Sequence, residues 1–343
     1  MQNINQTLGQ YSELFMLLAA LAYTVGFLAF TWDLVKSSRR IREIEAGLAE
    51  SAKDRELVLA GAVAGGKRGK ASADGAPTGS TADDAMDYQG ERRSAARIAV
   101  ALTIVAAVIH AVAVVTRGVA AGRVPWGNMY EFCTTGGLVV AVVFLLVLTR
   151  KDLRFLGTFV IGLVVVMLCA ATIGFPTPVA NLVPALQSYW LIIHVSVAVA
   201  ASALFTLTFA MSVLQLIQAS RVARLASGGE DRLPFMRLVP SALSLENLSY
   251  RINAIAFVLW TFTLMAGAIW AEKAWGRYWG WDTKEVWTFV IWVVYAGYLH
   301  ARATRGWTGT RAAWLSIVGY ACVIINFTLV NTVFNGLHSY SGL

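Results

Sequence analysis

Four histidines, His110, His194, His300 and His338, are the side chains best suited to chemistry in this 343-residue chain. Each lies in or beside a long apolar run, where an ionisable group is costly to keep and is a functional candidate by default. Between His194 and His338 in sequence stands WGRYWGWDTKE, residues 275–285, with Trp275, Tyr278, Trp279 and Trp281 followed by Asp282, Lys284 and Glu285. The stretch is too polar to cross a bilayer. It is also denser than the aromatic belts that Trp and Tyr form at the headgroup level, although such a belt is the simplest alternative reading. Gly276 and Gly280 would let the backbone approach a flat ligand whose faces the indoles cover. Asp282 and Glu285 have the spacing of a capping box, which predicts a helix starting immediately after the aromatics.

His194, in LQSYWLIIHV, falls one to two turns into a predicted helix, and His338, in FNGLHSYSGL, falls just past the last one. Two imidazoles on opposite sides of a planar aromatic cofactor make a bis-histidine haem site. Arg277, Lys284, Arg123 or Lys273 would then meet the acidic propionate groups. Each histidine alone reads more readily as a hydrogen-bonded interfacial residue than as a ligand, and it is the pair flanking one aromatic platform that brings the ligand reading level. His300, in YAGYLHARATR, suits either a second haem deeper in the membrane or an electrostatic cap on a helix C-terminus. His110, in AAVIHAVAV, has no partner at its depth and reads as a hydrogen-bonded packing residue. VPWGNMYEF, residues 124–132, is either a turn followed by a cap or a wall of the same site, with Glu131 at its edge.

Long apolar helices must position these groups. The chain is 57% hydrophobic and 14% charged, whereas soluble domains carry roughly 25% charged residues. Runs near 12–35, 97–116, 128–149, 155–174, 189–218, 251–271, 285–302 and 311–332 predict eight membrane spans in an all-α polytopic protein. With both termini outside, 23 of the 28 Lys and Arg fall on inner segments, as the positive-inside rule requires. The formal charge of +8 thus reads as topology and not as a nucleic-acid footprint. This orientation puts the aromatic loop, His194 and His338 on the outer face.

Three units follow: a first transmembrane helix over 1–36, a cytoplasmic insert over 37–96, and a seven-helix region over 97–343 with an outer loop at 272–285. The middle of the insert, GAVAGGKRGKASADGAPTGSTADDAMDYQGE, has the composition of a flexible linker. RRIREIEAGLAESAKDRELVLAG before it extends the first helix by several turns. The start, MQNINQTLGQYSE, lacks the basic n-region of a cleaved signal peptide. Cys133, Cys169 and Cys322 lie singly in apolar runs and offer neither a thiol relay nor a zinc site. No phosphate-binding glycine loop, nucleophile elbow or zincin helix is present.

WGRYWGWDTKEVWTFVIWVVYAGYLHAR resembles the tryptophan-rich WWD signature of haem-handling proteins. Together with LQSYWLIIHV, VPWGNMYEF and the terminal GLHSY, it resembles the CcsA/ResC branch, some of whose members are called CcsB, of the System II pathway of cytochrome c maturation. The likeness covers most of residues 97–343. It implies a haem-presenting subunit of a cytochrome c synthase in the bacterial plasma membrane. Haem b is then the bound substrate, held on the outer face by the aromatic loop, with His194 and His338 as its axial ligands. His300 matches an inner haem ligand whose counterpart comes from a ResB-type partner. Apocytochrome c and a thioredoxin-like thiol reductant are the further partners implied, with membrane lipid around the chain and no nucleic acid. Attaching the haem vinyl groups to substrate thiols asks alignment of this chain rather than a nucleophile. Thr283 stands where many relatives have Pro. The alternatives are a bis-histidine electron-transfer protein, which would place paired histidines on shared helices, and a haem transporter without a ligase role.

Overall fold

The computed structural model describes residues 4–63, 83–86, 93–304, 307–334 and 336–338, and its described residues form helices and no strand. The long helices are α1 (Gln6–Val63), α2 (Ser94–Ala121), α3 (Met129–Leu148), α4 (Gly157–Cys169), α5 (Tyr189–Ala226), α6 (Ala242–Trp275), α7 (Thr283–Ala303) and α8 (Thr310–Phe327), followed by the single turn α9 (Leu329–Thr332). Seven stretches are long and apolar enough to cross a membrane: those of α1, α2, α3, α5 and α6, α4 with its flanking turns (Arg154–Gly174), and α8 with α9 (Thr310–Thr332). The chain is therefore an all-α polytopic membrane protein. The predicted span at 285–302 is a helix of 21 residues, but it is not among those seven. Its polar first turn and its His300 and Arg302 lower the mean hydropathy.

Local chemistry sets the helix ends. Asn128 accepts from the Glu131 amide to start α3, Ser188 from Trp190 to start α5, and Ser241 from Ser244 to start α6. Asp282 and Glu285 close the expected capping box on α7. Gly276 ends α6 in the left-handed region at φ +72°, where a side chain would be strained. α1 continues well past its apolar part, as the extension read from its charged segment predicts. Glu45 on that extension pairs with Arg237 of the α5–α6 connection. The rest of the predicted linker, residues 64–82 and 87–92, lies outside the described residues.

Helix α5 joins two packed halves. In the first, Tyr23 and Phe30 of α1, Phe144 of α3, Leu156 just before α4 and Leu168 of α4 form a core that also takes Leu207 and Leu214 of α5. In the second, Phe205 of α5 stacks on Tyr295 of α7 at 3.8 Å, beside Trp260 of α6 and Tyr320 of α8. Polar ties cross this second half: Thr208 to Asn253 at 2.7 Å, Asn253 to Ser316 at 3.2 Å, and Thr206 with Tyr320 at 2.9 Å. Such bonds satisfy groups that lipid cannot. The first turn of α1 meets the end of α2, where the Asn5 amide donates to the Ala120 carbonyl. Leu337 meets the start of α7, so both ends of the described chain sit at the end of the bundle that carries the aromatic loop.

Candidate functional site

At that end α3, α5, α6, α7 and α8 surround a cavity of about 1100 Å3 of atom-free space, open solvent at its mouth included. Its walls are mostly apolar: Phe132 from α3, Leu191 and Val195 from α5, Trp260, Leu264 and Trp270 from α6, and Phe327 from α8. Tyr278 and Trp279 of the aromatic loop close it on one side and Trp126–Asn128 on another. A few convergent polar groups in an apolar hollow are the usual form of a small-molecule site.

His194 and His338 both line the cavity. Nδ1 of His194 lies 2.9 Å from the Thr263 carbonyl. A carbonyl can only accept, so the proton sits on Nδ1 and the lone pair on Nε2. Nδ1 of His338 lies 2.7 Å from Oδ2 of Asp282, whose carboxylate fixes the same tautomer. The two imidazoles therefore share one arrangement: Nδ1 held by a buttress, Nε2 left as the uncommitted ligand atom. Trp270 stands against both, stacked on His194 at 5.9 Å and edge-on to His338 at 5.4 Å. Its own Nε1–H donates to the Ala185 carbonyl at 3.1 Å, which pins the indole.

Asp282 carries three jobs. It caps α7 through the Lys284 amide, accepts from the Leu337 amide at 2.9 Å, and holds His338. The hydrogen bond from His338 is the main cause that lowers its pKa to about 2 from the usual carboxylate value, against the opposing effect of burial. Glu285 ties the loop from inside, its Oε2 accepting from the amides of Gly280 at 2.8 Å and Asp282 at 3.0 Å.

The aromatic residues divide. Tyr278 and Trp279 line the cavity, while Trp275 stands behind it, 4.7 Å from Trp270 and 4.9 Å from His338. Trp281 points away, 76% exposed and edge-on to Trp279, with a strained φ of +60°. The glycines of the loop do not line the cavity. Gly276 terminates α6, and the space beside Gly280 is filled by the Arg277 guanidinium. Gly267 inside α6 gives a close approach of another kind, to a side chain, since a Cβ there would fall 2.7 Å from Cε1 of His194. Gly267, Trp260 and Trp270 escape sequence reading because α6 is apolar on all sides.

His300 lies in the last turn of α7, exposed and at the opposite end from the cavity. His110 is fully buried and edge-on to Tyr23 at 5.7 Å, but neither ring nitrogen has a hydrogen-bond partner. The packing role read from sequence is present: His110 packs against Tyr23 and, beside Gly137, lies near Leu168 and Val164. In VPWGNMYEF both readings hold for different residues. Trp126–Asn128 line the cavity, while Glu131 turns into the protein and accepts from Arg117 (3.1 Å), Arg123 (2.7 Å) and the Gly127 amide (2.7 Å).

A family model described as "Cytochrome C assembly protein" matches residues 126–338, the segment that builds the whole cavity. The "Cytochrome c biogenesis protein CcsA" of Guillardia theta is 34% identical over 256 residues, covering 70% of this chain and 84% of the relative. Its namesake in Prochlorococcus marinus is 35% identical, with 68% and 80% covered, and that of Synechococcus elongatus 36%, with 65% and 81% covered. Among solved structures, "Cytochrome c Heme Lyase CcmF" superposes with a TM-score of 0.58 at 15% identity, which shows a shared fold. The superposition takes in 98% of this chain and spans about half of that larger one, 48% of its length. By sequence over its site-bearing segment, the chain belongs to the CcsA family of cytochrome c assembly proteins.

Proposed function

We propose that this protein, acting in cytochrome c maturation, holds haem b in the cavity between His194 and His338 and presents it at the outer membrane face for attachment to apocytochrome c. One observation carries the reading: two histidines from distant parts of the chain line one apolar cavity, each with Nδ1 buttressed and Nε2 uncommitted. Bound there, haem supplies the vinyl groups that form thioethers with the substrate's CXXCH cysteines. This chain's part is to grip and orient. His194 is set from a rigid helix, with its ring backed by Trp270. His338 sits on the short segment after α9 and is held by Asp282. His338, set on the segment after α9 and not on a long helix, is the one that the histidine of an incoming CXXCH motif would replace.

His300 is reserved for a second haem position, because its exposed place on α7 leaves room for a ligand from a ResB-type partner. Such a partner, with a thioredoxin-like thiol reductant for the substrate cysteines, completes the assembly. The excess of Lys and Arg on the segments opposite the cavity supports an outward-facing site in the plasma membrane.

The test is the optical spectrum of the purified full-length chain, with and without its partner, for wild type, His194→Ala and His338→Ala. Each variant should lose the low-spin bis-histidine spectrum and impair cytochrome c maturation, and exogenous imidazole should restore the spectrum. Unchanged spectra and maturation in both variants would overturn the site.

A further inference from the structure

Four cations were candidates, on sequence, for the acidic groups of a bound haem, and the cavity separates them. Arg123 is committed to Glu131 and to the Ala180 carbonyl. Lys273 is paired with Glu272 on the surface. Arg277 packs beside Gly280 and does not line the cavity. Lys284 does line it. Its Nζ donates to the Asn326 carbonyl at 2.7 Å and to Oδ1 of Asn331 at 2.9 Å, and it lies 4.8 Å from the centre of the Phe327 ring.

These partners are neutral. Among the described residues no carboxylate pairs with Nζ. Asp282 directs its oxygens to His338, Leu337 and the Lys284 backbone amide. Glu285, which also lines the cavity, directs Oε2 to the amides of Gly280 and Asp282. An ammonium has three protons to donate, and two are placed. A cation withdrawn from water is costly until an anion meets it, so a ligand carboxylate at Nζ would balance a charge that these neutral partners do not.

We propose that Lys284 binds a carboxylate of the ligand, which for haem is a propionate; the assignment rests on the haem reading of the cavity. Lys284 then fixes which edge of the ring enters first, because the propionates lie on one edge and the vinyl groups elsewhere on the ring. The neutral oxygens of Asn326 and Asn331 hold the ammonium in place without competing for its charge.

The experiment titrates detergent-solubilised full-length protein with haem and with haem dimethyl ester, in which both carboxylates are masked, and follows the optical spectrum. The wild type should bind haem about 10- to 100-fold more tightly than the ester, the range of one charge-assisted hydrogen bond. Lys284→Met should bind the two alike, at about the wild-type affinity for the ester, and Lys284→Arg should keep the preference for haem. A wild type that takes haem and ester equally overturns the assignment while leaving the haem reading intact, even if the Met variant fails to fold. So does a Met variant that keeps the wild-type preference. A wild type that binds neither compound overturns the haem reading and this assignment together.

Discussion

Nδ1 of His338 lies 2.7 Å from Oδ2 of Asp282, the residue that also caps α7. The grip on the tail of the chain and the start of a membrane helix are thus one carboxylate. Asp282→Ala should cost about 1 kcal/mol through the lost cap, a modest fall in thermal stability. It should affect the spectrum far more, converting the haem-loaded chain from bis-histidine to a single protein ligand. Asp282→Asn keeps an acceptor for Nδ1–H and should retain most of the low-spin signal. An alanine variant with a wild-type spectrum would show that His338 is positioned by something else.

Gly267→Ala tests the other ligand. Alanine suits a helix better than glycine, so the backbone should tolerate the change. The new methyl group falls 2.7 Å from Cε1 and 3.0 Å from Nδ1 of His194, and the ring must leave the Thr263 carbonyl. Expected are normal expression and near-normal thermal stability with at least a tenfold loss of haem affinity, roughly the 1.4 kcal/mol that a displaced contact represents. Undiminished affinity would place the functional ring elsewhere.

The Glu131 carboxylate is fully buried between Arg117 and Arg123. Glu131→Gln leaves two guanidinium groups without their shared anion, and breaking a buried pair in this way typically costs about 3–5 kcal/mol. Because Arg117 and Arg123 also hold the Thr177 and Ala180 carbonyls, the loss should appear as loosening of the connection between α4 and α5. Proteolysis of the detergent-solubilised chain should cut there first. A variant as resistant as wild type would reduce Glu131 to a local cap.

On the opposite end, Asp231 accepts from Arg221 at 2.6 Å and from Arg237 at 3.3 Å. The Arg221 hydrogen bond is the main cause that holds its pKa below the ordinary carboxylate value. A carboxylate with a depressed folded pKa contributes stability that is complete above its unfolded pKa, about 3.9. The contribution fades as pH falls from there through the folded value. Amide exchange in residues 228–239 should therefore be flat from pH 8 to about pH 5, once corrected for intrinsic rates, and should lose protection below about pH 4. Asp231→Asn should remove that acid step, and a step that persists would belong to another group.

The all-α membrane class was legible because the apolar stretches reach the length a bilayer demands, seven of the eight predicted spans being long and apolar enough. The convergence of His194 and His338 on one cavity was legible too, since both fall at helix ends predicted to share a face. What the chain conceals is direction. Trp275, Tyr278, Trp279 and Trp281 are alike in composition, yet they back, line or leave the cavity, because the turn at Trp281 rotates the chain through a positive φ. Gly267 and Trp270 sit in a helix with no polar face to mark which side is inward. Lys284 reads as one loop cation among several until Asn326 of α8 supplies a carbonyl and Asn331 of α9 an amide oxygen that draw it inside.

Helix α7, less apolar than its seven companions, sets a condition on how the protein is made. Lys284, Glu285, His300 and Arg302 are all residues that the insertion machinery disfavours in a lone segment, and α7 is stabilised instead by Trp260, Phe205 and Tyr320 of its neighbours. The wall that carries the ligand-facing lysine should then be the last to be committed to the bilayer, entering only as α8 emerges to cover it. Chains truncated after residue 306 and carrying an introduced cysteine in α7, Val293→Cys, should leave that thiol accessible to an aqueous cysteine reagent, and Val293→Cys chains extended past residue 332 should protect it. Protection at the shorter length would mean that the helix enters unaided. If the order holds, the protein cannot present a half-built cavity during synthesis, and free haem meets a binding surface only once the whole bundle has closed.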